Sequence, residues 1–308
     1  MEIQTLQTPV EIIINAGSGV GDKTELAERL KKVFDEYSVE AHFSLIESGD
    51  DFEKTLEQIV ESDARIIVAA GGDGTINAVA AKLVGTDKTL GVLPMGTLNH
   101  FSKDLGIPQD LEEAARVVCE NHTTTVDVGE VNERIFINNS SIGLYPRIVR
   151  RRIRQQRSGY SKWSAAFWSS LAIFTRYPFL DVKLRIDRKF MERRTPLIFV
   201  GNNEYEIHSL NMGARQSLQD GILSVYDLHR TGRAGLLLLA LRSLFGTLRD
   251  AEDFDEYFTD ELTIDKRRKQ KRVLVALDGE VVLMNAPLRY RILPRALRVI
   301  VPKVENEQ

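Results

Sequence analysis

The chain has 308 residues, 43% hydrophobic and 28% charged, with a net charge of −3 and a single cysteine, Cys119. That length favours two domains over one core, and the composition excludes a disordered or fibrous chain. One cysteine excludes an intramolecular disulfide and a cysteine-rich zinc site, and the slightly acidic balance gives no general attraction for nucleic acid.

The opening residues, MEIQTLQTPVEIII, lack the basic start and apolar core of a secretory signal. The longest apolar stretch, 234–241, falls far short of the roughly 20 residues a spanning helix needs. The expectation is a cytoplasmic protein that meets a membrane, if at all, peripherally at its inner face.

Up to about residue 128 short β runs alternate with helical stretches. Strands are expected at 10–14, 39–46, 65–70 and 90–93, and helices at 24–37, 50–61, 74–83, 97–105 and 111–120. Such alternation predicts a parallel sheet wrapped by helices, with ligands bound at the carboxyl ends of the strands. The glycine-bearing turns at 15–21, 71–74 and 94–97 each follow a strand, so they should share one edge. Cys119 lies within the last helix and reads as a buried, inert thiol.

The first of these turns, Asn15-Ala16-Gly17-Ser18-Gly19-Val20-Gly21-Asp22-Lys23-Thr24, narrowly misses two familiar patterns. Asp22 separates Gly21 from Lys23, which breaks a Walker A loop, and it stands where a dinucleotide fingerprint needs glycine. An ordinary glycine-rich turn and a phosphate loop both remain open there. The second turn is the strongest signal. Residues 66–77 read IIVAAGGDGTIN, an apolar run that stops on a glycine-rich acidic bend and continues as a helix. Glycines allow close backbone approach, and a helix start offers free N–H groups to an anion. A carboxylate there would repel a bare phosphate, so Asp73 implies a divalent cation between the two. In the third turn, Leu93-Pro94-Met95-Gly96-Thr97-Leu98-Asn99-His100-Phe101, Gly96 frees the backbone and Thr97 caps a helix or holds a phosphate or ribose oxygen. His100 reads as a surface or core histidine, or as a base.

After about residue 128 the pattern turns to short β runs, expected at 134–139, 180–186, 197–200, 222–228, 261–264, 273–277 and 288–292. This predicts a mostly antiparallel second domain, broken by helical insertions at 144–176 and 232–248. Six arginines (Arg147, Arg150, Arg151, Arg152, Arg154, Arg157) precede an aromatic run of Tyr160, Trp163, Phe167, Trp168, Phe174 and Tyr177. A basic segment beside an amphipathic aromatic helix suits an anionic membrane surface; a domain-capping helix with a solvated arginine face is the other reading. The basic run 266–272 reads as an exposed hairpin or a lipid-headgroup contact. Finally Val273 to Leu277 ends on Asp278-Gly279-Glu280, which is either a hairpin turn or a pair of carboxylates, one accepting a proton from an alcohol.

Together these pieces resemble the diacylglycerol kinase catalytic-domain family, bacterial soluble lipid kinases related to sphingosine kinases and more distantly to NAD kinases. GGDGTIN at 71–77, PMGTLN at 94–99 with LGIP at 105–108, NAGSG at 15–19, VDVG at 126–129 and DGE at 278–280 carry the resemblance over about residues 10–303. It implies an α/β nucleotide-binding domain with a parallel sheet over 1–128 and a β-sandwich-like acceptor domain over 129–295. A strand near 296–303 would return to the first domain. ATP would lie in a cleft between the two, its phosphates and ribose held by Asn15, Gly71, Gly72, Asp73, Gly74, Thr75, Ile76, Asn77, Gly96 and Thr97. Asp73 would engage Mg²⁺ through water, and Asp278 or Glu280 would be the base on the acceptor hydroxyl. A second, structural metal would sit at Asp220 with backbone oxygens of Ser217 and Ile222.

The chain departs from the family pattern at Ala16, where proline is usual, and at His100, where a short acid is common. It also departs at 201–208 (GNNEYEIH), where a glycine cluster is usual. The last change faces the region implied for the acceptor. The reading is an ATP- and Mg²⁺-dependent kinase of a hydroxyl on diacylglycerol or a related glycerolipid, with a homodimer left open. A kinase of a soluble acceptor such as NAD, or a non-catalytic ATP-binding module at a membrane, are the alternatives.

Overall fold

The structure is a computed structural model, and the residues it describes are 9–15, 23–46, 49–146, 179–205, 215, 217–228, 254–266 and 272–303. The expected helical insertions beyond residues 144–146, which are helical, the arginine–aromatic segment, residues 16–22 of the first glycine turn and most of the basic run 266–272 lie outside them. The chain divides into two compact units, Met1–Val128 with Pro294–Gln308, and Gly129–Leu293. Among the described residues no helix is long and apolar enough to cross a membrane.

Unit 1 contains β1 (Val10–Asn15), α1 (Lys23–Glu36), β2 (Ala41–Ile46), α2 (Gly49–Glu61), β3 (Ile66–Gly71), α3 (Asp73–Leu83), β4 (Thr89–Pro94), α4 (His100–Asp104) and α5 (Leu111–Glu120). Its strands pair in parallel in the order β2-β1-β3-β4, and Arg298 and Val299 add a further parallel pairing beside Thr89 and Leu90. β3 and β4 are buried along their whole lengths, as central parallel strands covered on both faces must be. Helices α1 and α5 pack together, and α2 packs on α3. The local choices agree with the elements. Asp110 caps α5 by accepting the N–H groups of Glu112 and Glu113, and Asn121 ends that helix in the left-handed conformation.

One helix is shorter than the sequence suggests. The stretch 97–105 forms helix only over His100–Asp104, because Asn99 takes a left-handed backbone (φ 50°) that an α-helix cannot contain.

Unit 2 begins within β5 (Thr123–Val131), followed by β6 (Arg134–Phe136), β7 (Asn139–Gly143), β8 (Leu180–Ile186), β9 (Lys189–Thr195), β10 (Leu197–Asn202), β11 (Leu223–Leu228), β12 (Phe254–Thr259), β13 (Glu261–Lys266), β14 (Arg272–Leu277), β15 (Glu280–Asn285) and β16 (Leu288–Ile300). One sheet runs β12-β11-β10-β7-β14-β15, antiparallel throughout. In the other, β16, β13, β8 and β9 pair antiparallel, and β5 pairs with β16 and β6. The expected strand at 134–139 is two strands, interrupted at Ile137 and Asn138. Both sheets send alternate residues into one apolar core that includes Phe136, Ile142, Leu184, Val200, Val225, Ile264, Val275 and Tyr290. That shared interior makes the unit a sandwich. The N-terminal α/β unit with a mostly antiparallel, sandwich-like second unit is the expected fold class.

Leu184 is 1% exposed and sits mid-strand in this core. Leu184→Ala should cost about 2–5 kcal/mol through lost burial and the cavity left behind. The check is urea unfolding, where the midpoint should fall at constant slope; an unmoved midpoint would contradict the shared core.

Candidate active site

In unit 1 the connections after β1 and after β3 leave in opposite directions, since β2 lies on one side of β1 and β3 and β4 on the other. Such a reversal opens a crevice at the carboxyl ends of the two strands. Asn15 ends β1 and Gly71 ends β3 at this point, and the Asn15 Nδ2 donates to Thr75 Oγ1 at 2.9 Å. Gly72 precedes α3 in an extended conformation and offers no side-chain cap. The first intrahelical bond runs from the Ile76 N–H to the Gly72 carbonyl at 3.1 Å, so the N–H groups of Asp73, Gly74 and Thr75 precede it. N–H groups at a helix start suit an anion.

The second and third glycine turns meet. The Met95 N–H donates to the Gly71 carbonyl at 2.8 Å. A methyl group at Gly96 would come within 2.9 Å of the Gly72 Cα, so the third turn needs glycine there to approach this closely. Thr97 is exposed, Asn77 half-buried, and Ile76 fully buried, which leaves Ile76 a backbone role only.

Asp73 has turned toward α4. Its Oδ2 accepts the Asn99 N–H at 3.0 Å and its Oδ1 accepts the His100 N–H at 2.8 Å, so it caps that helix in place of Asn99. Each carboxylate oxygen still has a further acceptor position. Asn77 Oδ1 and Asn99 Oδ1 are buried acceptors with no protein partner. Among the described residues no three acid, His or Cys side chains gather. A single carboxylate at Asp73 fits a cation carried in with phosphate, since Mg²⁺ characteristically takes one or two carboxylates, phosphate oxygens and water.

In unit 2, Asp278 and Gly279 both have positive φ (45° and 87°), as the two-residue hairpin turn joining β14 to β15 requires. The Asp278 side chain does not point to solvent. Its Oδ2 accepts the N–H of Ile137 at 2.8 Å, and its Oδ1 accepts those of Asn138 at 2.9 Å and Asn139 at 2.8 Å. Burial raises its pKa to about 6, against the lowering effect of these N–H groups and of the Arg215 guanidinium. Glu280, two residues on, is exposed at the start of β15. One turn thus holds a carboxylate turned inward and another free to meet a ligand.

The Ile137–Asn139 N–H groups and Arg215 were not singled out from the sequence. The visible signal was the polar run Asn138-Asn139-Ser140-Ser141 inside a β segment, which signals backbone or side chains serving polar partners. At the proposed second metal turn, Asp220 is exposed and the Ile222 carbonyl accepts the Asn203 N–H at 3.0 Å. The Ser217 hydroxyl accepts the Gln219 N–H at 3.1 Å.

A carboxyl whose folded pKa lies above its unfolded value holds its proton more tightly in the native state. Its contribution to stability is therefore present at low pH and is lost as pH rises from about 4 to about 6. Denaturant unfolding of the wild type and Asp278→Asn across pH 4–8 should show the wild type losing on the order of 3 kcal/mol relative to the variant over that window. A pH-independent difference would refute the raised pKa.

Comparison with known proteins places these features in a family. Residues 9–131 match the diacylglycerol kinase catalytic domain, and residues 147–301 match the YegS C-terminal NAD kinase beta sandwich-like domain. A Klebsiella pneumoniae protein named "Probable lipid kinase YegS-like" is 26% identical over 96% of both chains. A Staphylococcus aureus diacylglycerol kinase is 27% identical over 73% of this chain and 72% of its own. The crystal structure of a diacylglycerol kinase from Bacillus anthracis superposes with a TM-score of 0.68 at 23% identity, covering 96% of this chain and 97% of that one, a likeness of fold. With both halves matched in order, the chain belongs to the diacylglycerol kinase catalytic-domain family, kinases that transfer phosphate to a hydroxyl acceptor.

Proposed function

We propose that the protein is an ATP- and Mg²⁺-dependent lipid kinase that phosphorylates a hydroxyl of diacylglycerol or a related glycerolipid, with Glu280 as the proton acceptor. The observation that carries the reading is the uncapped start of α3 at the strand-order reversal, with Asp73 beside it. Phosphoryl transfer asks the protein mainly to position groups and neutralise charge.

The N–H groups of Asp73, Gly74 and Thr75 would hold phosphate oxygens, with Asn15 fixing Thr75 from the neighbouring strand end. Gly71, Gly72 and Gly96 keep the backbones close, and Asn77 and Thr97 supply further polar contacts to phosphate or ribose. Bound Mg²⁺ would neutralise charge between Asp73 and the phosphates. Glu280 would take the proton as the acceptor oxygen bonds to the γ-phosphorus and ADP departs. Asp278, with three backbone N–H groups on its carboxylate, suits positioning Glu280 better than accepting a proton itself. The turn at Ser217, Asp220 and Ile222 is assigned a structural cation, since one carboxylate with carbonyl oxygens suits a hard ion. The relatives' names support a glycerolipid acceptor, and the Arg147–Arg157 segment, outside the described residues, is the proposed contact with an anionic membrane surface.

The test is phosphate transfer from labelled ATP to dioctanoylglycerol in phosphatidylglycerol vesicles, with NAD as the competing acceptor and mass identification of the product. Asp73→Asn and Glu280→Gln should each lower turnover by about 10²–10⁴, the range for a lost catalytic proton acceptor or a lost charge contact. Asp278→Asn should lose about tenfold, a positioning effect. Transfer to NAD alone would refute the lipid acceptor, and full turnover by Glu280→Gln would refute the base.

A further inference from the structure

We infer that Arg215 is a positioning residue for phosphoryl transfer, setting the Asp278–Glu280 hairpin through the backbone segment that the Asp278 carboxylate grips. This deepens the reading above and rests on Glu280 being the base.

Arg215 is 7% exposed, and an arginine is almost never buried without dedicated partners. Its Nη1 donates to the Ile137 carbonyl at 2.7 Å and to the Asn202 carbonyl at 3.1 Å, and its Nη2 donates to Asn138 Oδ1 at 2.9 Å. Its guanidinium lies 5.6 Å from the centre of the Tyr205 ring. The segment it holds is the one that serves Asp278: the carbonyl of Ile137 and side chain of Asn138 go to Arg215, while the N–H groups of both go to Asp278. Asn202 completes the clamp, donating from Nδ2 to the Ile137 carbonyl at 2.9 Å and from its N–H to the Asn138 carbonyl at 2.9 Å.

Ile137 and Asn138 lie between two strands, where the Asn202 N–H of β10 holds the Asn138 carbonyl and the Ile137 carbonyl is left to side chains. Asp278 takes their N–H groups, while Arg215 takes the Ile137 carbonyl and the Asn138 side chain. Because the Asp278 N–H also donates to the Asn139 carbonyl at 2.9 Å, a shift of this segment moves the whole hairpin and with it Glu280. Misplacing a reacting group by about 1 Å can cost about 10²-fold in rate. Tyr205 and Asn202 belong to the 201–208 stretch where this chain departs from the family's glycine cluster.

The test uses the full chain with ATP, Mg²⁺ and dioctanoylglycerol in phosphatidylglycerol vesicles, assayed well below the melting temperature of each variant. Arg215→Met should lower kcat by about tenfold while KM for ATP stays within about twofold, the signature of a misplaced group in the transition state rather than of lost nucleotide binding. Arg215→Lys keeps a cation but not the planar fork, and should recover no more than a few-fold. On an Asp278→Asn background, Arg215→Met should cost less than about threefold more, because coupled residues are not additive.

A folded Arg215→Met enzyme with wild-type kcat, full recovery by Arg215→Lys, or additive losses in the double variant would each overturn the inference. If Arg215→Met does not fold, a folded Arg215→Lys enzyme decides: reduced kcat supports the role and wild-type kcat overturns it. Full turnover by Glu280→Gln would instead remove the base assignment itself, and with it the ground for this inference.

Discussion

Three backbone N–H groups in a row, those of Ile137, Asn138 and Asn139, face inward where β6 gives way to β7, and the Asp278 carboxylate takes all of them. Buried backbone donors left without partners cost about as much as a lost hydrogen bond each. A carboxylate answers three at once, and the charge-assisted bonds offset much of its desolvation. Asp278 must hold a left-handed backbone to reach them, and Asp-Gly is the dipeptide that tolerates this in a two-residue hairpin. The geometry of Glu280, the exposed neighbour, is therefore a consequence of where Asp278 must be.

Unit 1 uses the same device with a different outcome. Asp73 gives its two oxygens to the N–H groups of Asn99 and His100, and this caps α4. The α3 start has no cap of its own, because Gly72 has no side chain to offer. An aspartate that could have answered its own helix reaches across to the next turn. The N–H groups at the α3 start thus have no side-chain cap, and a carboxylate lies beside them. Close approach of Gly72 and Gly96 makes this exchange sterically possible.

Much of unit 1 was legible in advance because its signals are local. Buried parallel strands read as unbroken apolar runs, and helices announce themselves by caps such as Asp110 and Asn121. The bend at Asn99 was not legible, since an αL residue there depends on Asp73, 26 positions earlier, taking its N–H. In unit 2, β9 and β15 carry charged or mixed residues on an exposed face, and no strand was expected there. β5 and β12 were missed as well. Cross-strand partners, not residue preferences, put such edge segments into a sheet.

Sequence by itself determined the fold class, the family, the glycine turns at the strand ends and the two carboxylates of the DGE turn, because strand periodicity and turn chemistry are written in neighbouring residues. Tertiary structure alone decided that Asp278 faces inward and Glu280 outward, that Asp73 caps α4, and that Arg215 grips the segment beneath the hairpin. Those facts depend on partners separated by 26 to 141 residues. Whether a buried polar group is satisfied is settled by what the fold brings beside it, and no local pattern encodes that.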